Sequence, residues 1–190
     1  MIRNKEFQTT PFGEVLIEGD NGTKQLAPED RIFMGLFLSV VRELWPWSLP
    51  PLYKKFEKIK FNTAIYEYRI VRHWIKCNLG NYDHILDIDQ LGNLHLEIVT
   101  CPLRGGDCPM EGDHKTENCV CKPKFNSQLS NRELEVMNLY YNGLDTEKIS
   151  DRLLISQNTV NTHRKNSLKR VDVHSLSEFF HYARTKNLFE

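Results

Sequence analysis

Between Leu129 and Leu188 the chain repeats one local signal, the start of a helix. Ser130 is followed three residues later by Glu133, Thr146 and Ser156 each precede helix-forming runs, and Ser175 is followed by Glu178. A serine that accepts an amide of the first turn, with a glutamate reaching back to the serine's own amide, forms a capping box and satisfies donors that a helix start leaves orphaned. Apolar residues follow: Leu134, Val136, Met137 and Leu139, then Ile149, Leu153 and Leu154, then Leu176, Phe179, Phe180, Tyr182 and Ala183. The first run reaches about Asn142, where Gly143 ends it, and Ile155-Ser156 is the turn between the second and third. Four short helices with so tight a turn describe an all-α helix-turn-helix domain. We expect it over residues 129–190, after a polar linker, 122–128.

The third of these helices carries the chemistry. Ser156 to Arg170 holds four cations (Arg164, Lys165, Lys169, Arg170) and no acid, in a chain whose Lys+Arg and Asp+Glu counts are both 25. Net neutrality excludes a protein coated in basic surface, so contact with nucleic acid must come from a local concentration of charge such as this one. On a 3.6-residue period Val160, Arg164, Ser167 and Val171 share one side, while Asn158, Asn161, Lys165 and Lys169 share another. One face can pack and the other can meet duplex DNA. Gln157, Asn158 and Asn161 stand at the N-terminal end, where a recognition helix approaches base edges and an amide can pair with adenine. Arg164, Lys165, Lys169 and Arg170 are placed for phosphates, which adds affinity without sequence choice.

Leu129-Ser130-x-Arg132-Glu133-x-Glu135-Val136, Gly143-Leu144, Ile149-Ser150-x-x-Leu153-x-Ile155-Ser156, Thr159-Val160-x-Thr162-His163 and Val173-x-Ser175 together resemble the LuxR/GerE-type DNA-binding domain, over about the last 60 residues. The resemblance implies a bacterial transcription regulator with its third helix in the major groove and a homodimer formed through the fourth. It also brings Thr159 and Thr162 into the DNA-facing set; His163 matches a family position too, but reads as a packed or hydrogen-bonded histidine and not as a base reader. The chain departs from the family pattern at several positions. Asn161 stands where lysine is usual, which lowers phosphate attraction and favours a base contact. Ser150 replaces a small apolar residue, Glu147-Lys148 reverses the usual order of charges, and Ser167 occupies a normally aliphatic position, which weakens packing.

Residues 1–100 are expected to form a mixed α+β domain. Glu14 to Glu18 alternates, and Gly19-Asp20-Asn21-Gly22 supplies a hairpin turn. Pro28 at a first helical position, with Glu29 and Asp30 beside it, opens a helix whose apolar face is Ile32, Leu36, Val40 and Leu44, flanked by Phe33, Phe37 and Val41, and Pro46 stops it. Pro50 to Lys60 reads as a shorter helix with a solvated basic face. Thr63 to Leu79 reads as another, with Ala64, Tyr68, Val71, Ile75 and Leu79 apolar and Gly80 as a left-handed end. His84 to Asp89 and Leu94 to Val99 alternate around Leu91-Gly92-Asn93, which predicts a second hairpin with Leu86, Ile88, Leu94, Leu96 and Ile98 inward. Alternating strands and helices with acids at strand ends, the pattern of a phosphoreceiver, are absent from this stretch.

A cysteine-rich segment, 101–124, joins the two parts. Cys101, Cys108, Cys119 and Cys121 crowd into it, which in a reducing compartment points to metal before disulfide. Four thiolates make a closed tetrahedral zinc site, and Gly105-Gly106 lets the backbone fold round an ion, while Pro102, Pro109 and Pro123 stiffen the segment. A loop of reduced thiols and a redox or catalytic use, with His114 as ligand or base, are the competing readings. Cys77 stands apart as a small buried hydrophobe.

No catalytic Ser/His/Asp set, HExxH or phosphate-cradling motif accompanies these residues, so an enzyme is not expected. The longest apolar run, Ile32 to Val41, falls short of the ~20 residues of a spanning helix, and the N-terminus lacks signal-peptide character. The expectation is a cytoplasmic regulator that binds double-stranded DNA. The alternative is a protein-interaction adaptor or antagonist that uses the helix-turn-helix as a docking surface.

Overall fold

The computed structural model describes residues 2–83, 85–97, 99–101, 103, 108, 110, 120–121, 123–186 and 188–189. Two units divide the chain, Met1–Lys124 and Phe125–Glu190.

In the first unit, strands β1 (Glu6–Thr9), β2 (Val15–Gly19) and β3 (Gly22–Gln25) form one antiparallel sheet in that order. Register pairs Phe7 with Ile17 and Ile17 with Lys24. Phe7, Val15 and Ile17 are buried, as the two-residue period requires. The predicted turn is present: Gly19 pairs with Gly22 around a two-residue loop, and Gly22 has φ +91°. β1, which sequence reasoning missed, completes the sheet through a four-residue strand too short to announce itself.

Three helices follow: α1 (Arg31–Leu44), α2 (Pro50–Lys55) and α3 (Thr63–Asn78). α1 starts three residues later than expected, because Pro28 and Glu29 lie in a turn closed by Asp30 N donating to Ala27 O at 3.1 Å. Its inward face is also different. Met34, Phe37, Leu38 and Val41 are buried, whereas Ile32 is 82% exposed. The i+4 ladder of aliphatics marks the flank of the true face. A 3₁₀ turn at Pro46–Ser48 follows α1, and a second at Glu57–Ile59 replaces the end of the expected 50–60 helix.

α3 matches its prediction in length, and Asn62 caps it by accepting the Ile65 amide at 3.2 Å. Gly80 is not left-handed. It is needed because β1 passes close by: Thr9 N donates to Gly80 O at 3.2 Å, and a Cβ there would lie 2.8 Å from Thr9 Oγ1. The core is an aromatic chain of Phe7, Phe37, Trp74 and Trp45, with successive ring centroids 6.1, 5.5 and 5.7 Å apart. Ser48 ties it together, accepting from Trp74 Nε1 at 2.8 Å and donating to Trp45 O at 2.7 Å.

The second predicted hairpin is not a hairpin. Among the described residues of 84–99 only isolated bridges form, Ile88 with Lys5 and Ile88 with Leu94. Ile88 and Leu94 are buried as expected, Leu86 is exposed, and His84 and Ile98 lie outside the described residues. The reason is that Ile88 pairs with Lys5, beside β1, and Asp89 gathers the Leu91-Asn93 turn on its own carboxylate, accepting from both amides at 2.8 and 2.9 Å. No single helix among the described residues is long and apolar enough to cross a membrane.

The second unit contains α4 (Asn131–Tyr141), α5 (Thr146–Leu153), α6 (Gln157–Arg170) and α7 (Leu176–Thr185). Leu129, Val136, Met137, Tyr140, Ile149, Val160, Phe179 and Ala183 form its core. Ser130 and Glu133 make the predicted capping box. Asp145, not Thr146, caps α5: its carboxylate accepts the Lys148 amide at 2.9 Å, and Thr146 bonds the Tyr140 hydroxyl instead at 2.8 Å. At α7 Ser175 caps Glu178 N at 3.1 Å, while the Glu178 carboxylate reaches one residue further back, to His174 N at 2.9 Å.

Candidate functional site

The turn between α5 and α6 sets the site. Ile155 N donates to Ser150 O at 3.1 Å, and Leu154 between them takes φ +52°. That 6→1 closure is a Schellman motif with leucine where glycine is usual. Ser156 then caps α6, accepting from Thr159 N at 3.1 Å, with the two hydroxyls 2.8 Å apart. Arg132 secures the turn from α4: one guanidinium nitrogen donates to Leu153 O at 3.1 Å and another to Glu135 at 2.6 Å. Sequence reasoning saw Arg132 only as a motif residue; its positioning role rests on a contact 21 residues distant that spacing does not reveal.

Val160 and Ser167 are the buried residues of α6, and Arg164 and Val171 flank them half-buried, as the helical period predicts. Ser167 is fully buried, and its hydroxyl donates to His163 O at 2.8 Å, so the polar atom in the aliphatic position is satisfied. His163 is half-buried. The outward face holds Gln157, Asn158, Thr159, Thr162, Lys165 and Lys169, with Asn161 half-buried beside them. Asn166, four residues after Thr162, joins this face; it lies beyond the N-terminal amides expected to approach bases and between the lysines expected at phosphates. The Thr162 hydroxyl donates to Asn158 O at 2.9 Å, which leaves its oxygen free only to accept.

The two arginines are held differently from the two lysines. Arg164 stacks over the Tyr140 ring at 5.8 Å. Arg170 Nε donates to Glu133 Oε1 at 3.1 Å, on a carboxylate whose side chain is 3% exposed, while the arginine itself stays 54% exposed. Glu133 is held below its usual carboxylate range: burial opposes this, but the Ser130 amide and hydroxyl and the Arg170 guanidinium outweigh it. Arg170 therefore closes the capping box of α4 on one side and offers its remaining N–H groups outward.

The first unit brings together two other groups of titratable side chains. Oxygens of Glu6, Asp87 and Glu97 lie within 4.8 Å of one another. Burial pushes the Asp87 carboxyl up to about 9, helped by Glu97, Glu6 and Asp83, and raises Glu6 and Glu97 too. Each of the three accepts a backbone amide, from Phe7 to Asp87 at 2.7 Å, from Asp83 to Glu6 at 3.3 Å and from Asn81 to Glu97 at 2.9 Å. Carboxyls packed this closely in a buried place retain protons that exposed ones release.

The other group is sulfur. Cys77, expected to stand apart, hydrogen-bonds Cys121, and Cys101 and Cys108 lie within electrostatic reach of it; the Cys121 bond, burial and the neighbouring thiols raise the Cys77 thiol well above its usual range. A trio of these sulfurs within 4.8 Å is absent among the described residues, so the thiols are gathered without being closed. Cys119, His114, Pro102, Pro109 and Gly105-Gly106 lie outside the described residues.

Comparison with known proteins bears on the second unit. Residues 127–183 match the family model of bacterial regulatory proteins of the luxR family. The chain is 32% identical over 74 residues to the fimbriae Z protein of Escherichia coli K12, covering 39% of this chain and 35% of that one. It is 45% identical over 49 residues to the response regulatory protein YgeK of the same strain, covering 26% of this chain and 33% of the relative. With the positive transcription regulator of virulence factors BvgA of Bordetella pertussis it shares 37% over 62 residues, 33% of this chain and 30% of that one. The chain thus spans about a third of the length of the curated relatives it matches. No solved structure matches it. The capped four-helix unit and these matches agree on one assignment: residues 127–183 are a helix-turn-helix domain of the luxR family of bacterial regulatory proteins.

Proposed function

We propose that this chain is a cytoplasmic, sequence-specific transcription regulator that lays α6 in the major groove of double-stranded DNA and works as a homodimer through α7. The observation that carries the reading is the outward face of α6: amides at its N-terminal end, lysines toward its C-terminal end, and no acid along its length. Gln157, Asn158 and Asn161 read bases, with Asn166 a neighbour on the same face. Thr159 and Thr162 meet the backbone or base edges by their hydroxyls, and Lys165 and Lys169 meet phosphates. Arg164 and Arg170 contribute mainly by holding α6 on α4, with Arg170 still able to reach a phosphate.

The dimer is supported by the family resemblance and by the polar outer residues Ser177, His181 and Arg184 that α7 leaves exposed.

Selection of duplexes from a random pool, followed by binding as a function of salt, tests the reading. A recurrent two-fold-related site is expected. Lys165→Ala with Lys169→Ala should weaken all duplexes alike and flatten the log–log salt slope by about 1.8, at roughly 0.9 per phosphate. Asn158→Ala should instead lose the preferred sequence. A pool that shows no enrichment at moderate salt would overturn this function and leave the docking-surface alternative.

A further inference from the structure

Glu6, Asp87 and Glu97 reach one place from separate parts of the first unit. Glu6 opens β1, the edge strand of the sheet, and its neighbour Lys5 bridges to Ile88, the neighbour of Asp87. Glu97 arrives at the end of α3, where its amide donates to Asn78 O at 2.8 Å and its carboxylate accepts from Asn81 N at 2.9 Å. One oxygen from each of the three lies within 4.8 Å of the other two. Glu6 is 5% exposed and Asp87 2%, and Glu97 is half-buried. Glu6 Oε1 takes the Asp83 amide and Asp87 Oδ2 takes that of Phe7. The other two oxygens, Glu6 Oε2 and Asp87 Oδ1, are cut off from solvent and have no hydrogen-bond partner among the described residues. Buried acceptors left in that state are costly, and each calls for a reason. A cavity of about 410 Å³ is lined by Glu6 with Asn4, Glu18, Asp20 and Tyr82, and Asn4 Oδ1 on the same cavity is a further buried acceptor without a partner. The acids on this cavity favour an approaching cation.

We propose that Glu6, Asp87 and Glu97 bind one hard divalent cation, of the manganese or calcium kind, which fastens the segment carrying Asp87 and Glu97 to the edge of the sheet. Oxygens that share such an ion lie within about 5 Å of one another, since each stands about 2.0–2.6 Å from it. The three carboxylates meet that condition. An all-oxygen donor set suits these ions, whereas thiolates and imidazoles draw softer metals. Carboxylates bind mono- or bidentately, and water supplies the oxygens they do not. The two oxygens without partners are the ones left to meet the cation, which also turns the mutual repulsion of three crowded carboxylates into attraction. In the metal-free chain protons offset that repulsion, and the cation displaces them on binding. The consequence is mechanical. Among the described residues the segment pairs with the sheet edge through one isolated bridge, Lys5 with Ile88, and the cation adds a bond that no strand ladder supplies. Binding free energy to a site absent from the unfolded chain is folding free energy, so the cation stabilises the first unit. This site does not rest on the DNA-binding reading.

The test is made on the full chain, stripped with chelator, dialysed, and titrated at neutral pH with manganese chloride or calcium chloride. Neither ion favours thiolates, so the cysteines do not compete. Free manganese is counted by its electron paramagnetic resonance signal, and the stability of the first unit is followed by the fluorescence of Trp45, Trp47 and Trp74, all of which lie in it. Saturable binding of about one manganese per chain is expected, with a denaturation midpoint that rises as the ion is added. The ion that raises the midpoint at the lower concentration is the one the site is built for. Glu97→Gln and Asp87→Asn each keep an oxygen to accept the Asn81 or Phe7 amide while removing a charge. Both should fold without metal at least as stably as the parent and bind manganese at least about tenfold more weakly, because changes even beyond the ligands cost about 10–100-fold. Glu97 is the less buried of the two, so Glu97→Gln decides the matter if Asp87→Asn does not fold. Asp20→Asn removes an exposed acid of the cavity without touching the three ligands and should leave affinity within about twofold. Manganese that stays free overturns the proposal, as does a midpoint that neither ion moves, or a folded Glu97→Gln chain that binds manganese as tightly as the parent.

Discussion

The two units are specified at different ranges along the chain. In the luxR-family unit most side-chain hydrogen bonds span three or four residues: Ser130 with Glu133, Asp145 with Lys148, Ser156 with Thr159, Ser175 with Glu178. In the first unit the decisive ones span the whole fold, Phe7 to Asp87, Asp83 to Glu6, Arg72 to Gly13, Trp74 to Ser48. The luxR-family unit places its buried charge, Glu133, inside a fully satisfied capping network. The first unit buries Glu6 and Asp87, each with one oxygen that has no partner. Local specification makes a unit readable and tolerant; long-range specification makes it dependent on every member of its core.

The largest expected effect follows from that dependence. Phe37 is 1% exposed and touches Phe7, Phe33 and Trp74, so Phe37→Ala should cost the first unit about 3–5 kcal/mol. All three tryptophans, Trp45, Trp47 and Trp74, lie in this unit. Denaturation followed by tryptophan fluorescence therefore reports it alone, while far-UV circular dichroism reports both units. An early fluorescence transition with later residual helicity is expected; coincident transitions would break the distinction.

Next in size is the response to pH. The Asp87 carboxyl sits at about 9 in the folded unit against about 4 in an unfolded chain. Between these values the folded state holds a proton that the unfolded state has released, so stability falls as pH rises through the window. The slope is at most about 1.4 kcal/mol per pH unit for one proton. Asp87→Asn keeps an acceptor for Phe7 N and should flatten the fluorescence-detected slope. An unchanged slope would place the titration elsewhere.

The same difference of range decides what was legible. Capping serines, the turn glycines and the alternation of Glu14 to Glu18 announce themselves within a few residues, and the helix-turn-helix and the lysine and amide face of α6 were read from them. The ends of α5 and α6 close with the same 6→1 bond as α4, but through Leu154 and Asp172 in place of Gly143, and only the glycine is a visible signal. The alternation around Ile88 is real and predicts half of a hairpin; that it pairs with Lys5 depends on a residue more than eighty positions away. Cys77 looks isolated in the sequence for the same reason, since its hydrogen-bond partner, Cys121, lies 44 positions further along the chain.

Loss of a single local bond should be correspondingly modest. Ser156→Ala removes the acceptor for Thr159 N and should cost the second unit about 1 kcal/mol, visible in circular dichroism and silent in tryptophan fluorescence. A shift in both signals would mean that the units unfold together.

The smallest effect has the opposite sign. Leu154 is 91% exposed with φ +52°, so its side chain buries almost nothing while its Cβ strains a left-handed backbone. Leu154→Gly relieves that strain, and the extra freedom glycine brings to the unfolded chain takes back part of the gain, leaving about 0.5 kcal/mol of stabilisation. Both terms are local, so the gain belongs to the second unit and the fluorescence transition should not move. Leu154 also stands at the turn that aims α6. If the glycine variant is more stable yet binds its selected duplex less well, the leucine is kept for what it meets on DNA; if affinity is unchanged, the residue is only a tolerated cap. A glycine variant that loses stability would show that the exposed leucine is packed in the working protein, and would move this turn out of the locally specified class.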